Sequence, residues 1–141
     1  MILSKNKKAY FDYEIIKEFT AGIILSGGEV RSCRNKQLNL KGSYISIKDD
    51  NLILKSADIS KFESDQTKEY DSKKDRQILL NKKELLKIHN EMNNAGTTLI
   101  PLSLFTQGRL LKLNIALAKG KKQYDKRETI KKRDLERRKI Y

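Results

Sequence analysis

Apolar residues recur with two spacings along the chain, and the alternating spacing that is typical of strands is the more frequent. The stretch YEIIKEFTAGIIL, which begins at Tyr13 and contains Gly22, is rich in β-branched and aromatic residues. It predicts one strand that bends or two short strands in succession. From Tyr44 onward, apolar residues at positions 45, 47, 52 and 54 surround the polar positions 49–51. This pattern predicts a β-hairpin.

A second hairpin is predicted near the end of the apolar part of the chain. TTLIPLSLF and RLLKLNIALAK flank the turn at 106–108, and the second stretch alternates apolar and polar or small residues up to Lys119, where the sheet is expected to end. Because several short strands occur with few helices, we expect a mainly β fold. The predicted architecture is a small antiparallel barrel, closed or nearly closed, with peripheral helices.

Helical spacing is clearest over 81–94. Asn81 and Glu84 resemble a capping box, apolar residues follow at helical intervals, and Gly96 is suited to end the helix. SGGEVRSCRN predicts a short helix or a turn, and the polar segment 61–75 predicts a long loop. We expect one domain over 1–118, followed by a basic tail over 119–141.

The net positive charge of the chain indicates which class of partner the protein binds. The 141 residues include 31 Lys and Arg against 18 Asp and Glu, a formal net charge of +13. Such a surface attracts polyanions, of which nucleic acid is the first candidate. No run of 18 apolar residues and no secretion signal is present, and Cys33 is the only cysteine. These features predict a cytoplasmic protein that does not enter a membrane.

The segment from residue 119 to the end contains 11 basic and 4 acidic residues. Its apolar residues scatter around a helix instead of forming a stripe, so it has no face to bury in a core. Pairs of opposite charge at i,i+4 spacing stabilise a helix by only tenths of a kcal/mol each. We therefore expect the tail to be mostly unstructured alone and helical when it is bound to nucleic acid.

Patterns of catalytic or metal-binding chemistry are weak. Gly27 and Gly28 lack the rest of a phosphate-binding loop, and one His with one Cys cannot form a zinc site in a single chain. His89 and Cys33 are interpreted as packing or surface residues. Asp49 lies in a predicted turn, where aspartate is favoured for backbone reasons. We expect a binding protein with no cofactor and no metal, and not an enzyme.

Basic residues near aromatic ones give more specific candidates for RNA contact. Cations beside aromatic rings suit phosphates and exposed bases, although the rings could equally pack on the barrel. A pair of arginines one helical turn apart could bracket a phosphate backbone, or could be a solvated face. Another arginine stands where the loop meets the next apolar run, a position that suits RNA contact. These candidates are Asn6, Lys7 and Lys8 beside Tyr10 and Phe11, then Arg31 with Arg34, and Arg76.

Six motifs, in this order, resemble the SsrA-binding protein family, also called small protein B: NKKAYFDYEI, FTAGIILSGGEVRSCR, NLKGSY, DRQILLNKKEL, IALAKGKKQYDKR and TIKKRD. The resemblance covers about Asn6 to Arg137. It implies an oligonucleotide-binding-type (OB-like) barrel that binds the transfer-RNA-like domain of transfer-messenger RNA (tmRNA, SsrA). It also implies delivery of that RNA to stalled ribosomes, which is trans-translation, with the tail in the empty messenger channel near the decoding centre.

The resemblance assigns roles to individual positions. Asn6 and Leu79 match family residues that matter for RNA binding, and Arg76 matches a neighbouring basic position. The tail residues that match the family's ribosome-binding motifs are Lys121, Lys122, Tyr124, Asp125, Lys126, Arg127, Ile130 and Lys131.

Thr20 stands where many members have a glutamate that contributes to the RNA site, so it can offer a hydrogen bond but no charge. Gln77 stands where a lysine is often found.

Two other function classes remain open from sequence. One is a structural ribosomal protein whose extension threads ribosomal RNA permanently. The other is an RNA-modifying or RNA-cleaving enzyme, which the lack of a catalytic cluster disfavours. The expected partners are tmRNA, the A site and messenger channel of the ribosome, and ribosomal RNA. We expect the protein to act as a monomer.

Overall fold

The computed structural model describes residues 1–62, 69–93 and 96–121, and within these ranges the fold is mainly β. Nine strands and three helices are described, and the helices lie outside the sheet. In chain order the elements are β1 (Ile2–Lys5), α1 (Lys7–Asp12), β2 (Tyr13–Ile23), α2 (Gly27–Arg34), β3 (Leu38–Asn39), β4 (Tyr44–Lys48), β5 (Asn51–Lys55), β6 (Asp58–Ile59), β7 (Arg76–Leu79), α3 (Lys82–Met92), β8 (Thr97–Gln107) and β9 (Leu110–Gly120).

Seven strands form one antiparallel sheet in the order β1-β8-β9-β2-β7-β5-β4, and β3 pairs with β6 in a separate two-stranded ladder. The prediction of a mainly β, antiparallel fold with a few helices is therefore confirmed. Among the described residues, no backbone pairing joins β1 to β4, so the sheet is not a closed barrel. It curves until β4 approaches β8, which gives a partly open shell.

Irregular pairing bends the two longest ladders. β2 and β9 pair along nearly their whole length, with a shift in register between Ile15 and Lys17, and the β8–β9 ladder shifts between Pro101 and Ser103. Such bulges add local twist and help a sheet to curve. The predicted interruption at Gly22 is not present, because β2 is one continuous strand from Tyr13 to Ile23. Gly22 continues the strand and pairs with Leu79 of β7.

The two faces of β9 carry two separate apolar clusters. Leu113, Ile115 and Leu117 belong to the main cluster, whereas Ala116 and Ala118 belong to a smaller one. We call these the inner and the outer face of the sheet. α1 packs on the outer face through Ala9, and α2 and α3 contribute Cys33 and Ile88 to the inner cluster. α1 therefore lies on the opposite side of the sheet from the other two helices.

The local patterns explain the other elements. The β4–β5 hairpin turns at Asp49 and Asp50, whose φ angles of 49° and 65° are positive, as a tight hairpin turn requires. The Oδ1 atom of Asn81 accepts a hydrogen bond from the backbone N–H of Glu84 at 2.8 Å, which caps α3 as predicted. Within SGGEVRSCRN the helix runs from Gly27 to Arg34, and Ser26 and Glu29 form its capping box.

No helix within the described ranges has the length and apolar character that crossing a bilayer requires.

Candidate nucleic-acid interface

Asn6 forms the joint between β1 and α1. The residue is 5% exposed, its backbone N–H donates to the carbonyl oxygen of Leu102 at 2.7 Å, and its Nδ2 donates to the carbonyl oxygen of Pro101 at 3.0 Å. The side chain therefore fixes the start of α1 against β8. Asn6 and Lys8 also line a cavity of about 340 Å³ between α1 and the start of β4, whose first residue, Tyr44, is half-exposed.

Lys7 and Lys8 are exposed in the first turn of α1, and Tyr10 follows one turn later. Burial raises the pKa of the Tyr10 hydroxyl, and the carboxylate of Glu18 adds to this rise. The same ring lies 5.0 Å from Nζ of Lys5, a cation–π distance. The exposed end of α1 thus presents a ring and several cations on the outer face of the sheet.

Thr20 and Leu79 lie on the same outer face. Thr20 pairs with Asn114 of β9, and Gly22, two residues further along β2, pairs with Leu79. Leu79 is 49% exposed, which is unusual for a leucine in the middle of a sheet and leaves it available for contact. Next to Thr20, Nδ2 of Asn114 donates to Oε1 of Glu18 at 3.0 Å.

The structure therefore brings together several predicted RNA-binding residues that are far apart in sequence. α1 and the exposed strip of β2 and β7 share the outer face, so a ligand on this face can contact both. We define the outer-face surface by four of these predicted residues and by one that sequence reasoning missed. Its members are Lys7, Lys8, Thr20, Leu79 and Asn114, and the buried Asn6 holds α1 in place beside them.

Arg31 and Arg34 are exposed on α2, on the inner side of the sheet, and do not join the outer-face surface. Nη2 of Arg34 donates to the carbonyl oxygen of Arg109 at 2.7 Å, which ties α2 to the β8–β9 turn. The guanidinium of Arg31 lies 5.6 Å from the centre of the Phe62 ring. Their one-turn spacing is as predicted, but each arginine already has a partner within the fold.

Arg76 is placed inside the protein, contrary to its interpretation as a surface contact for RNA. The residue is 2% exposed. Its Nε donates to Oε2 of Glu29 at 2.8 Å, and its Nη1 donates to the carbonyl oxygen of Ala57 at 2.7 Å. Nη2 donates to the hydroxyl of Tyr70 at 3.1 Å and to the carbonyl oxygen of Ser72 at 3.0 Å. All three guanidinium nitrogens therefore donate hydrogen bonds within the protein, and they join β7 to α2 and to the loop before β7.

Glu29 is the acidic centre of this buried group. Burial would raise its pKa, but the N–H of Ser26 and the charges of Arg76 and Lys74 outweigh burial and lower the pKa below its ordinary value. Tyr70 donates from its hydroxyl to the carbonyl oxygen of Ile59 at 2.8 Å. The loop next to β7 is thus anchored to the core at Tyr70. Sequence reasoning missed this role of Glu29, although its spacing of three from Ser26 is a capping-box signal.

Among the predicted tail residues, only Lys121 is described. Its backbone N–H donates to the carbonyl oxygen of Asp12 at 2.9 Å, and its Nζ donates to the carbonyl oxygen of Tyr10 at 3.2 Å. The other predicted tail residues, Lys122, Tyr124, Asp125, Lys126, Arg127, Ile130 and Lys131, lie outside the described residues.

Cys33 and His89, the two other titratable residues considered from sequence, lie against neighbouring parts of the fold. Cys33 is fully buried, and burial raises the pKa of its thiol to about 12. Nε2 of His89 lies 3.4 Å from Oδ1 of Asp50, so it faces the β4–β5 turn. Within the described part of the chain, no three His, Cys, Asp or Glu residues are grouped in a way that could hold a metal ion.

A curved antiparallel sheet with exposed cations, rings and a leucine on one face defines the class of small, basic, nucleic-acid-binding β proteins. A model of the SmpB protein family matches residues 3–140 of the chain. This protein belongs to the SmpB family.

Two curated relatives and one solved structure agree with this assignment. The SsrA-binding protein of Mycoplasma mycoides is 41% identical over 140 residues, covering 99% of this chain and 95% of the relative. The SsrA-binding protein of Bdellovibrio bacteriovorus is 42% identical over 135 residues, covering 96% and 89%. A chain from the structural study "tmRNA-SmpB: a journey to the center of the bacterial ribosome" is 32% identical, with a TM-score of 0.69, and the match covers 89% of this chain and 92% of that one.

Proposed function

We propose that this protein binds tmRNA and delivers it to stalled ribosomes for trans-translation and ribosome rescue. The observation that carries this proposal is the match of nearly the whole chain to SsrA-binding proteins at 41% and 42% identity. A net charge of +13 suits a partner made of RNA. The protein acts by binding and not as an enzyme, and its place of action is the cytoplasm.

The outer-face surface is the proposed contact for the transfer-RNA-like domain. Lys7 and Lys8 supply positive charge for phosphates, while Thr20 and Asn114 offer polar groups that carry no net charge. Leu79 supplies an exposed apolar side chain for a base or a ribose. Structured RNA is recognised mostly through its shape and phosphates, with a few contacts to exposed bases, and this mixture of groups suits that mode.

Arg31 and Arg34 contribute RNA contacts from α2, on the other side of the sheet. Arg76 contributes indirectly, because its buried pairing with Glu29 holds α2 against β7. The OB-like character implied by the family resemblance is part of the proposal, and it is supported by the curved antiparallel sheet in which β4 approaches β8.

The division into a sheet domain over 1–118 and a basic tail over 119–141 gives two roles. The sheet domain binds tmRNA, whereas the tail enters the empty messenger channel near the decoding centre and becomes helical there. The tail's 11 basic residues support contact with ribosomal RNA. β9 continues to Gly120, so the part of the tail that follows the sheet starts at Lys121.

The experiment that tests the proposal is recovery of cellular RNA with the full-length protein. Tagged protein is captured from growing cells, and the bound RNA is sequenced. We expect tmRNA as the main species. We also expect the protein to be enriched on ribosomes that have stalled on messenger RNAs without a stop codon. Stoichiometric presence on all ribosomes with no tmRNA would instead identify a structural ribosomal protein and would contradict the proposal.

A further inference from the structure

The chain leaves the sheet beside the last turn of α1. β9 ends at Gly120, which pairs with Tyr13, the first residue of β2. Because α1 ends at Asp12, directly before Tyr13, the end of β9 lies next to the end of this helix. Lys121 is the next residue and is half-buried. The first residue after the sheet is therefore held against α1.

Two hydrogen bonds join Lys121 to α1. Its backbone N–H donates to the carbonyl oxygen of Asp12 at 2.9 Å, and its Nζ donates to the carbonyl oxygen of Tyr10 at 3.2 Å. The last carbonyl groups of a helix have no partner within the helix, and a cation near them is favourable. The last turn of α1, whose residues are all described, contains no basic side chain. Lys121 supplies that positive charge from the other end of the chain.

α1 depends on contacts of this kind. It has six residues, too few for a stable helix in isolation, and the side chain of the preceding Asn6 makes no cap bond to it in the described structure. Ala9 buries against the outer face, and Asn6 bonds to β8 at the other end of the helix. Lys121 completes this set at the C-terminal end. Its bonds constrain both α1 and the backbone that follows β9.

We propose that Lys121 is a positioning residue that sets the direction in which the basic tail leaves the sheet by binding the terminal carbonyl groups of α1. It does so without contacting ribosomal RNA itself. This inference rests on the proposed function, since it concerns how the tail is presented to the ribosome. The point at which the chain leaves the sheet is then held in a fixed position relative to RNA bound at α1.

The test compares three full-length variants in the presence of wild-type tmRNA and stalled ribosomes. Lys121→Met removes the Nζ bond and the charge, and Lys121→Arg keeps a donor that can reach the same carbonyl group. Lys87→Met is the control, because it removes the same charge from an exposed site on α3, on the other side of the sheet. The measured quantities are the affinity for tmRNA and the rate of peptide tagging at saturating protein.

We expect Lys121→Met to lower the tagging rate by about tenfold while its affinity for tmRNA changes by less than about twofold. Lys121→Arg restores tagging to near the wild-type rate, and Lys87→Met leaves both quantities unchanged. A structural defect alone would not give this separation. It would reduce affinity and tagging together, because α1 belongs to the tmRNA surface.

The salt dependence of ribosome binding distinguishes positioning from direct contact. Loss of one phosphate contact lowers the slope of log affinity against log salt concentration by about one. We expect the slope of Lys121→Met to equal that of the wild type. A slope lowered by about one overturns the inference and makes Lys121 a phosphate contact, and equal tagging by Lys121→Met and Lys87→Met overturns it as well. With either result the wild type still supports tagging, so the proposed function stands. If the wild type fails to bind tmRNA, the proposed function and the inference about Lys121 are both wrong.

Discussion

Arg76 and Glu29 form an ion pair of 2.8 Å in the interior, with side chains that are 1% and 2% exposed. The pair connects the first residue of β7 to the first turn of α2, across 47 positions of sequence. Three further guanidinium N–H groups donate to Ala57, Tyr70 and Ser72, so the buried charge is well compensated. Arginine suits this role because its planar group offers five donors in a fixed geometry.

Removing one member of this pair should strongly destabilise the fold. Arg76→Met leaves the carboxylate of Glu29 buried without its main counter-charge, and losses of this kind are about 3–5 kcal/mol. We expect the free energy of unfolding in urea to fall by about that amount. Circular dichroism at increasing urea concentration measures it.

The control for Arg76→Met is Lys55→Met, which breaks a surface ion pair. Nζ of Lys55 lies 3.6 Å from Oδ2 of Asp75, and the two side chains are 38% and 60% exposed. Exposed pairs contribute roughly 0–1 kcal/mol, so this variant should remain near the wild-type stability. Similar losses in the two variants would contradict a structural role for the buried pair.

The same pair predicts how stability changes with pH. The pKa of Glu29 is lower in the folded protein than its ordinary value of 4.5. A carboxylate whose pKa falls on folding stabilises the fold above its unfolded pKa, and this contribution is lost as pH falls through the folded pKa. We therefore expect the wild type to be more stable than Glu29→Gln at pH 7, with a difference that shrinks below about pH 4.5. Urea unfolding at several pH values measures it, and a difference that grows on acidification would refute it.

Local patterns predicted much of the fold because short-range physics controls those elements. The alternation around Asp49 and Asp50 gave the β4–β5 hairpin, and the Asn81 cap gave the start of α3. α1 was not predicted, because six residues carry too little periodicity and its stability comes from Ala9 packing on the sheet. Local sequence patterns also could not predict whether the sheet closes into a barrel, because closure depends on how strongly the bulged ladders curve.

Only the part of the candidate site that is contiguous in sequence could be predicted, because the rest depends on tertiary structure. Asn6, Lys7 and Lys8 are adjacent in sequence, so their grouping required no tertiary information. The proximity of Thr20 to Leu79 depends on the β2–β7 register, which sequence patterning did not reveal. Arg76 follows the polar run KKD, which is typical of a solvated segment. Only the fold shows that Arg76 is buried in an ion pair with Glu29.

Leu79 provides a test of the outer-face surface. Because its side chain is 49% exposed, Leu79→Ala should cost little stability, yet it removes the apolar contact proposed for RNA. We expect the affinity for tmRNA to fall about tenfold, as measured by filter binding or fluorescence anisotropy. Leu86→Ala is the matched control, since Leu86 is 63% exposed on α3 and should leave affinity unchanged. Equal affinities of the two variants would remove Leu79 from the interface.

Truncation tests the proposed division of labour between the sheet domain and the tail. A stop after Ala118 would remove the last two residues of β9 and both bonds of Lys121 to α1, so it would disturb the sheet domain as well. A stop after Lys121 keeps these contacts and removes only residues 122–141. We expect this shorter protein to bind tmRNA within about tenfold of the wild type and to support no peptide tagging. The stop after Ala118 should bind tmRNA more weakly than the stop after Lys121. If the protein that ends at Lys121 loses tmRNA binding as completely as tagging, the two roles are not separable.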